Sequence, residues 1–162
     1  MTIKIEYFTD VLCIWAYGGQ VSIDELKRDF TNDIVIEYRF IPIFAAAKEQ
    51  ISRVWKGKGE FEGFNQHLQQ VANNWEHIPV SKDLWTEVTP ESSTPVHLYL
   101  KAIQLLTEQG EISKLPLKEL NGRTLFEEAI WLFRVAFFRQ GLDISRRNVQ
   151  VEVARHREAS WC

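Results

Sequence analysis

The sequence predicts an α/β fold that forms one structural domain and is mostly helical by content. Two short runs, residues 3–8 and 34–43, alternate with the two-residue period of a β-strand. From Ala45 onward, the apolar residues recur at the three- and four-residue spacing of a helix. The chain has 162 residues, 45% hydrophobic and 25% charged, which is the composition of a globular domain. Disordered, collagen-like and low-complexity proteins are therefore excluded.

Residues 1–44 predict a strand–helix–strand unit. Ile3, Ile5 and Tyr7 occupy alternate positions of the first strand, and residues 20–30 carry apolar side chains on one helical face. The second strand follows at 34–43 and is rich in β-branched and aromatic residues. A helix that connects two strands of one sheet forms a crossover, so we expect the strands to pair in parallel.

The rest of the chain predicts a helical insertion at residues 45–141 and a return helix within 142–162. A helix-start signal at 92–95 precedes a broad apolar face that Gly110 ends. The further predicted helical segments are 116–120, then 124–140, which Gly141 ends, and a last helix capped by Asp143 or Ser145. The expected content is two strands and five or six helices.

Charge and composition exclude several classes of function. The 19 Lys and Arg residues against 22 Asp and Glu residues give a formal net charge of -3, which favours neither nucleic acid nor an anionic membrane as a partner. No secretory signal begins the sequence, and its apolar runs are too short to span a bilayer, so we expect a cytoplasmic protein. The four histidines lack the spacing of a metal site, and no metal is predicted.

Cys13 is the strongest candidate for a reactive residue. It follows the first predicted strand and lies at or just before the first helix. The unpaired N–H groups and positive dipole end of a helix N-terminus favour a thiolate, which is a nucleophile toward disulfides. The alternative is a small buried hydrophobic residue. The second cysteine, Cys162, is either a distant resolving thiol or a terminal residue without a function.

Three segments carry a resemblance to a known family. The order of a strand, Asp10-x-x-Cys13-x-Trp15, a helix and a second strand ending near Pro42 resembles the DsbA-like branch of the thioredoxin superfamily. Residues 92–97 and 133–144 are similar to an insertion helix and to an aromatic helix followed by Gly-Leu-Asp-Ile in that branch. The nearest groups are the FrnE-like oxidoreductases, the kappa-class glutathione transferases and the 2-hydroxychromene-2-carboxylate isomerases.

The resemblance implies a thioredoxin-like fold with a large helical insertion and a site around Cys13. It implies that Cys13 is catalytic, that Asp10, Trp15 and Ala16 bind the substrate, and that glutathione is the candidate co-substrate in place of a tightly bound cofactor. The sequence departs from the oxidoreductase motif Cys-Pro-Trp-Cys, because Cys13-Ile14-Trp15-Ala16 lacks the resolving thiol. The isomerase and transferase branch has Ser-Pro-Tyr and a small residue, so Ala16 matches that branch and Cys13 matches the oxidoreductases.

The resemblance also predicts strands that the sequence does not show after residue 145. The family fold continues with a strand preceded by a cis-proline, a hairpin partner and a final helix. Residues 94–100 resemble that element only superficially, because their apolar pattern continues as a helix. We therefore expect a chain without the C-terminal strands, whose exposed sheet edges favour a homodimer.

Three functions remain open at this point. The first is a monothiol thiol–disulfide oxidoreductase that acts on a protein or small-molecule thiol or disulfide. The second is a glutathione-dependent transferase or isomerase, and the third is a non-catalytic thioredoxin-like binding module.

Overall fold

The computed structural model describes residues 2–31 and 33–159, with residues 156–159 described by their backbone. Two strands and seven α-helices follow one another in this part of the chain. Their bounds are β1 Ile3–Thr9, α1 Ile14–Gly18, α2 Gln20–Asp29, β2 Ile34–Phe40, α3 Ala47–Val54, α4 Glu60–Ala72, α5 Thr94–Glu108, α6 Leu125–Phe138 and α7 Arg147–Ala159. The predicted mixture of a small sheet and a majority of helix is confirmed.

β1 and β2 pair in parallel, as the crossover predicted. The register runs from Ile3 opposite Ile34 to Thr9 opposite Phe40. The second strand was predicted to reach residue 43, and this was wrong: it ends at Phe40. Pro42 has no N–H to continue the ladder, and the chain turns there, with the N–H of Ala45 donating to the carbonyl of Pro42.

The two faces of the sheet differ in what covers them. On one face, Tyr38 is buried and meets the ring of Phe126 from α6 edge to face. The opposite face carries an exposed ion-pair network in which Arg39 binds Glu6 and Glu37 at 2.7 Å each. The hydrophobic core therefore lies on the side of α6.

α6 is the central helix of the fold. Thr124 caps it, accepting a hydrogen bond from the N–H of Glu127 while the Glu127 carboxylate accepts one from the N–H of Thr124. The helix buries Phe133, Phe137 and Phe138 completely or nearly so. The hydrophobic core cluster around α6 includes residues of all three predicted segments, 1–44, 45–141 and 142–162.

Two helix predictions need correction. Residues 116–120 were predicted as a helical region, but only a three-residue 3-10 turn, Lys118–Leu120, forms there. Asn121 and Gly122 both adopt positive φ, which ends any helix, and the carbonyl of Arg123 accepts from the N–H of Leu117. The helix count was also low by one or two in the described residues, because Gly19 separates α1 from α2.

The segment that begins at Thr94 is a helix. α5 starts at Thr94 with Pro95 in its first turn, where a missing N–H costs nothing. No peptide bond in the described part of the chain is cis. The helical interpretation of this segment is therefore confirmed. Among the described residues, no helix combines the length and hydrophobicity that crossing a bilayer requires.

Candidate active site around Cys13

Cys13 lies at the N-terminal cap of α1, four residues after the buried end of β1 at Thr9. Its backbone is extended, with φ of -85° and ψ of 118°, and its carbonyl accepts the N–H groups of Ala16 and Tyr17 at 3.1 Å. The N–H of Cys13 donates to the carbonyl of Asp10 at 3.2 Å. The thiol is partly exposed and free, and it is the only cysteine among residues 2–31 and 33–159. Cys162 lies outside the described residues.

Asp10 holds the loop between β1 and α1 in place. Its carboxylate has no exposed surface. One oxygen accepts the N–H of Leu12 at 2.8 Å, and the other accepts the N–H of Phe44 at 3.1 Å and the hydroxyl of Ser93 at 2.8 Å. A substrate cannot reach an inaccessible side chain, so this position favours a structural role for Asp10 over the predicted contact with substrate.

His97 of α5 contacts the same loop. Its Nε2 lies 3.3 Å from the backbone nitrogen of Val11 and 3.5 Å from Oδ1 of Asp10. The Val11 N–H is fixed by the backbone and points at Nε2, so in the neutral ring Nε2 accepts and the proton is on Nδ1. A proton on Nε2 would instead be donated to Asp10. The two contacts are therefore alternatives: a neutral ring accepts from Val11, whereas a ring that carries a proton on Nε2 donates it to Asp10.

The pKa of Asp10 lies below its ordinary value. Burial is the largest influence and would raise the pKa, but interactions with His97 and with the N–H groups of Leu12 and Phe44 outweigh it. Asp10 is thus a carboxylate at neutral pH. The charged side chain accepts the hydrogen bonds that hold the loop before Cys13 in place.

Trp15 and Ala16 are adjacent in α1 but differ in exposure. Trp15 is 60% exposed, and its ring meets that of Trp75 edge to face with the centroids 5.2 Å apart. Trp75 also packs against Gly18, where a Cβ atom would come within 2.6 Å of the indole. Ala16 is buried. Next to Cys13 the protein therefore presents an aromatic surface. Position 16, where the second thiol of a dithiol site would lie, is buried.

Sequence reasoning missed the residues that support this site from a distance. Ser93, His97 and Arg134 contact the loop or its flanks and come from residues 83 to 125 positions away. Ser93 and His97 lie within the segment that carried the resemblance, and this was the available signal. Arg134 had a signal too, as a charge in the middle of the most apolar helix.

A cavity of about 430 Å³ adjoins the supporting residues. His97 and Phe40, whose rings stack at 5.2 Å, form part of its wall together with Phe8 and Leu98. Phe8 and Leu98 are largely exposed. The described residues contain no group of three or more His, Cys, Asp or Glu side chains that could hold a metal ion.

The fold has a counterpart among solved structures. The chain is similar to the crystal structure of a "putative protein disulfide isomerase" from Nitrosomonas europaea, with a TM-score of 0.64 and 11% sequence identity. The similarity covers 96% of this chain and 65% of the length of that chain. No protein-family profile matches the sequence, and no curated protein does. The predicted fold class is confirmed: the chain has a thioredoxin-like α/β fold with a large helical content.

Proposed function

We propose that this protein is a thiol–disulfide oxidoreductase in which Cys13 is the nucleophile. The observation that carries the proposal is the placement of a partly exposed, free thiol at the cap of α1, directly after β1 of a thioredoxin-like fold. Helix N-termini carry backbone N–H groups without a partner in the helix, and reactive cysteines commonly occupy such positions.

The proposed reaction is thiol–disulfide exchange. The Cys13 thiolate attacks one sulfur of a substrate disulfide, the substrate S–S bond breaks, and the other half leaves as a thiolate that takes up a proton. A second, external thiol then loses its proton and attacks the mixed disulfide, releasing Cys13 and becoming bonded to the substrate half. Position 16 is Ala, so no thiol one turn away can perform that second step. Glutathione or a similar small thiol is our proposed resolving partner.

The aromatic surface beside Cys13 supports the binding of a substrate. Trp15 is exposed but is held by Trp75, so its ring offers a fixed apolar area next to the thiol. A peptide or small organic disulfide can bury part of this area while its S–S bond reaches Cys13. A cytoplasmic location, where glutathione is abundant, remains part of the proposal and is checked by cell fractionation.

The test is the formation of a mixed disulfide with oxidised glutathione, followed by intact-protein mass spectrometry. C162S retains Cys13 and should gain one glutathione, which reduced glutathione then removes. C13S retains Cys162 and is the matched control that should gain none at the same rate. Exchange at Cys162 alone would contradict the proposal. Conjugation of glutathione to an electrophile without a mixed disulfide would favour the transferase instead.

A second candidate function is a non-catalytic binding module. The specific observation is that the exposed aromatic area at Trp15 coexists with a buried Ala16 in place of a resolving thiol. If this candidate is right, C13S binds peptides as tightly as the wild type does, and W15A does not. Wild-type protein that binds peptides but forms no mixed disulfide at Cys13 would favour this candidate over the oxidoreductase.

A further inference from the structure

The cavity of about 430 Å³ lies between the end of β2 and α5. Its volume falls within the range of about 300–1,000 Å³ that is typical of sites for small molecules. Cys13 does not line it, so the thiol lies outside this cavity. The wall consists of Phe8 from β1, residues 38–42 from β2 and the turn after it, and Thr94, His97, Leu98, Lys101 and Gln104 from α5.

The wall that α5 contributes is mostly polar. Thr94, His97, Lys101 and Gln104 follow one another at intervals of three or four residues, so they occupy one face of the helix. Nζ of Lys101 donates to Oε1 of Gln104 at 2.9 Å. None of the ion pairs among residues 2–31 and 33–159 includes Lys101. This helix face therefore carries a cation without a counter-charge.

His97 adds an unpaired polar atom to the same wall. Its side chain is buried, and Nδ1 has no hydrogen-bond partner within the protein. When Nε2 accepts the N–H of Val11, Nδ1 carries the proton of the neutral ring, so the unpaired atom is a donor. Buried polar groups of native proteins are nearly always paired. A donor without a partner in the wall of a cavity therefore favours a ligand with an acceptor.

The remainder of the wall is largely apolar. Phe8, Phe40, Ile41 and Pro42 come from the strands and the turn, and Leu98 adds an apolar side chain from α5. Phe8 is 57% exposed and Leu98 is 67% exposed, so both leave apolar surface in contact with water. Phe40 stacks on the ring of His97 with the centroids 5.2 Å apart, which places an apolar and a polar part of the wall side by side.

The charges of this wall favour an anionic ligand. Among the described residues, none that lines the cavity is acidic. Arg39 also lines it, but Glu6 and Glu37 bind this guanidinium at 2.7 Å each, and Glu108 acts on it as well. The charge of Arg39 is therefore balanced inside the protein, whereas that of Lys101 is not.

We propose that this cavity binds a small organic acid, with its carboxylate toward α5 and its apolar body against the aromatic side chains. His97 and Lys101 are one turn apart on the same helix face, so a single carboxylate can accept from both. A neutral apolar molecule would leave both polar groups unsatisfied. An inorganic anion would leave Phe8 and Leu98 uncovered. The inference does not depend on the proposed function of Cys13.

The experiment is a titration of 3-phenylpropionate into ¹⁵N-labelled protein, followed by NMR, with 3-phenylpropan-1-ol as the uncharged equivalent. We expect saturable shifts of the backbone amides of Phe8, Phe40 and Leu98. The acid should bind about fivefold more tightly than the alcohol, the ratio expected of an exposed ion pair. K101M should abolish this preference, and K114M, which removes an exposed lysine outside the cavity, should keep it. Equal affinities of wild type for acid and alcohol, or shifts confined to other residues, would overturn the inference.

L98E tests the location of the site independently of Lys101. It places a negative charge in the cavity wall and should weaken binding of the acid by about tenfold or more. L115E is the matched control, because Leu115 is 70% exposed, nearly as Leu98 is, and lies outside the cavity. Unchanged binding by L98E overturns the inference. Shifts of the cavity amides on dilution without added acid would assign the cavity to a contact between two copies of the chain, and this also overturns it. Failure of the proposed function appears separately, in the mixed-disulfide assay of Cys13.

Discussion

A single carboxylate connects three distant parts of this chain next to the candidate nucleophile. Asp10 accepts hydrogen bonds from Leu12 in its own loop, from Phe44 after β2 and from Ser93 before α5. Each donor would be left without a partner if the acceptor were lost, and an unsatisfied buried donor costs about 1–3 kcal/mol. The geometry of the Cys13 loop therefore depends on contacts outside the loop.

D10N tests this dependence. The amide keeps one oxygen but replaces the other acceptor by an NH₂ group that faces donors, so we expect the free energy of unfolding to fall by about 1–3 kcal/mol. Urea unfolding at neutral pH measures the change. D83N, the same substitution at an exposed aspartate, is a control that should change stability by less than about 0.5 kcal/mol. Equal stability of D10N and wild type would contradict the role assigned to Asp10.

The lowered pKa of Asp10 predicts that the free energy of unfolding depends on pH. Because the folded state lowers the pKa of Asp10, its ionisation stabilises the protein fully above the ordinary Asp pKa of about 3.9. That contribution is lost as the pH falls through the lowered folded value. The stability difference between wild type and D10N should therefore shrink below about pH 4. Urea unfolding of both proteins across this range measures the difference. A stability difference that grows as the pH falls would contradict the prediction.

Trp15 should affect substrate binding without changing the thiol. W15A removes an aromatic ring that is 60% exposed, so little core packing is lost. We expect KM for a peptide disulfide to rise several-fold, while the alkylation rate of Cys13 by iodoacetamide stays the same. F30A, which truncates a half-exposed aromatic away from α1, is the matched control. A slower alkylation in W15A would mean that the indole shapes the thiol site itself.

At the scale of single elements, the first turn of α1 determines whether the site can work as a dithiol. Ala16 donates its N–H to the carbonyl of Cys13, so the two side chains lie one turn apart. We expect A16C to form a disulfide with Cys13 in oxidising buffer and to gain turnover with a dithiol substrate. Peptide mapping under non-reducing conditions detects the bond. Failure of the two thiols to bond in folded protein would show that α1 does not have the geometry described.

The elements differed in how far the sequence could predict them. α6 was predictable because its apolar residues, its cap at Thr124 and the glycine at 141 all indicate the same helix. Residues 116–120 were mispredicted because a proline followed by apolar residues resembles a helix start, whereas Asn121 and Gly122 turn the chain at once. Local signals therefore sufficed where they agreed with one another.

The position of Cys13 was predictable, but its surroundings were not. A strand period that gives way to a helix places the thiol at the junction. The partners of the loop are 34 to 125 residues away, and periodicity within one segment carries no information about such contacts. Asp10 was accordingly predicted at the substrate surface, whereas its hydrogen bonds place it in the interior.

At the scale of the whole molecule, the sheet offers unpaired edges. Among the described residues, β1 and β2 pair with each other and with no further strand. Ile3 and Val35 are also more than half exposed near one end of this sheet. Unpaired strand edges with apolar side chains favour pairing with another chain.

We therefore predict that the 162-residue chain self-associates. Sedimentation velocity should show a larger species as the protein concentration rises. V35K places a charge on the exposed face of β2 and should weaken the association, while K101A, on the surface of α5, should not. A protein that stays monomeric at every concentration would contradict the prediction.

The buried guanidinium of Arg134 connects the segment that carries Cys13 to the central helix. It donates hydrogen bonds to Thr9, the last residue of β1, and to Gln20, the first residue of α2. If this segment moved away from α6, a buried cation would lose both acceptors, and burying an unpaired charge is costly. The strand end before the thiol and the helix after it should therefore move only together with α6, so the thiol keeps its place in the fold while its side chain remains partly exposed.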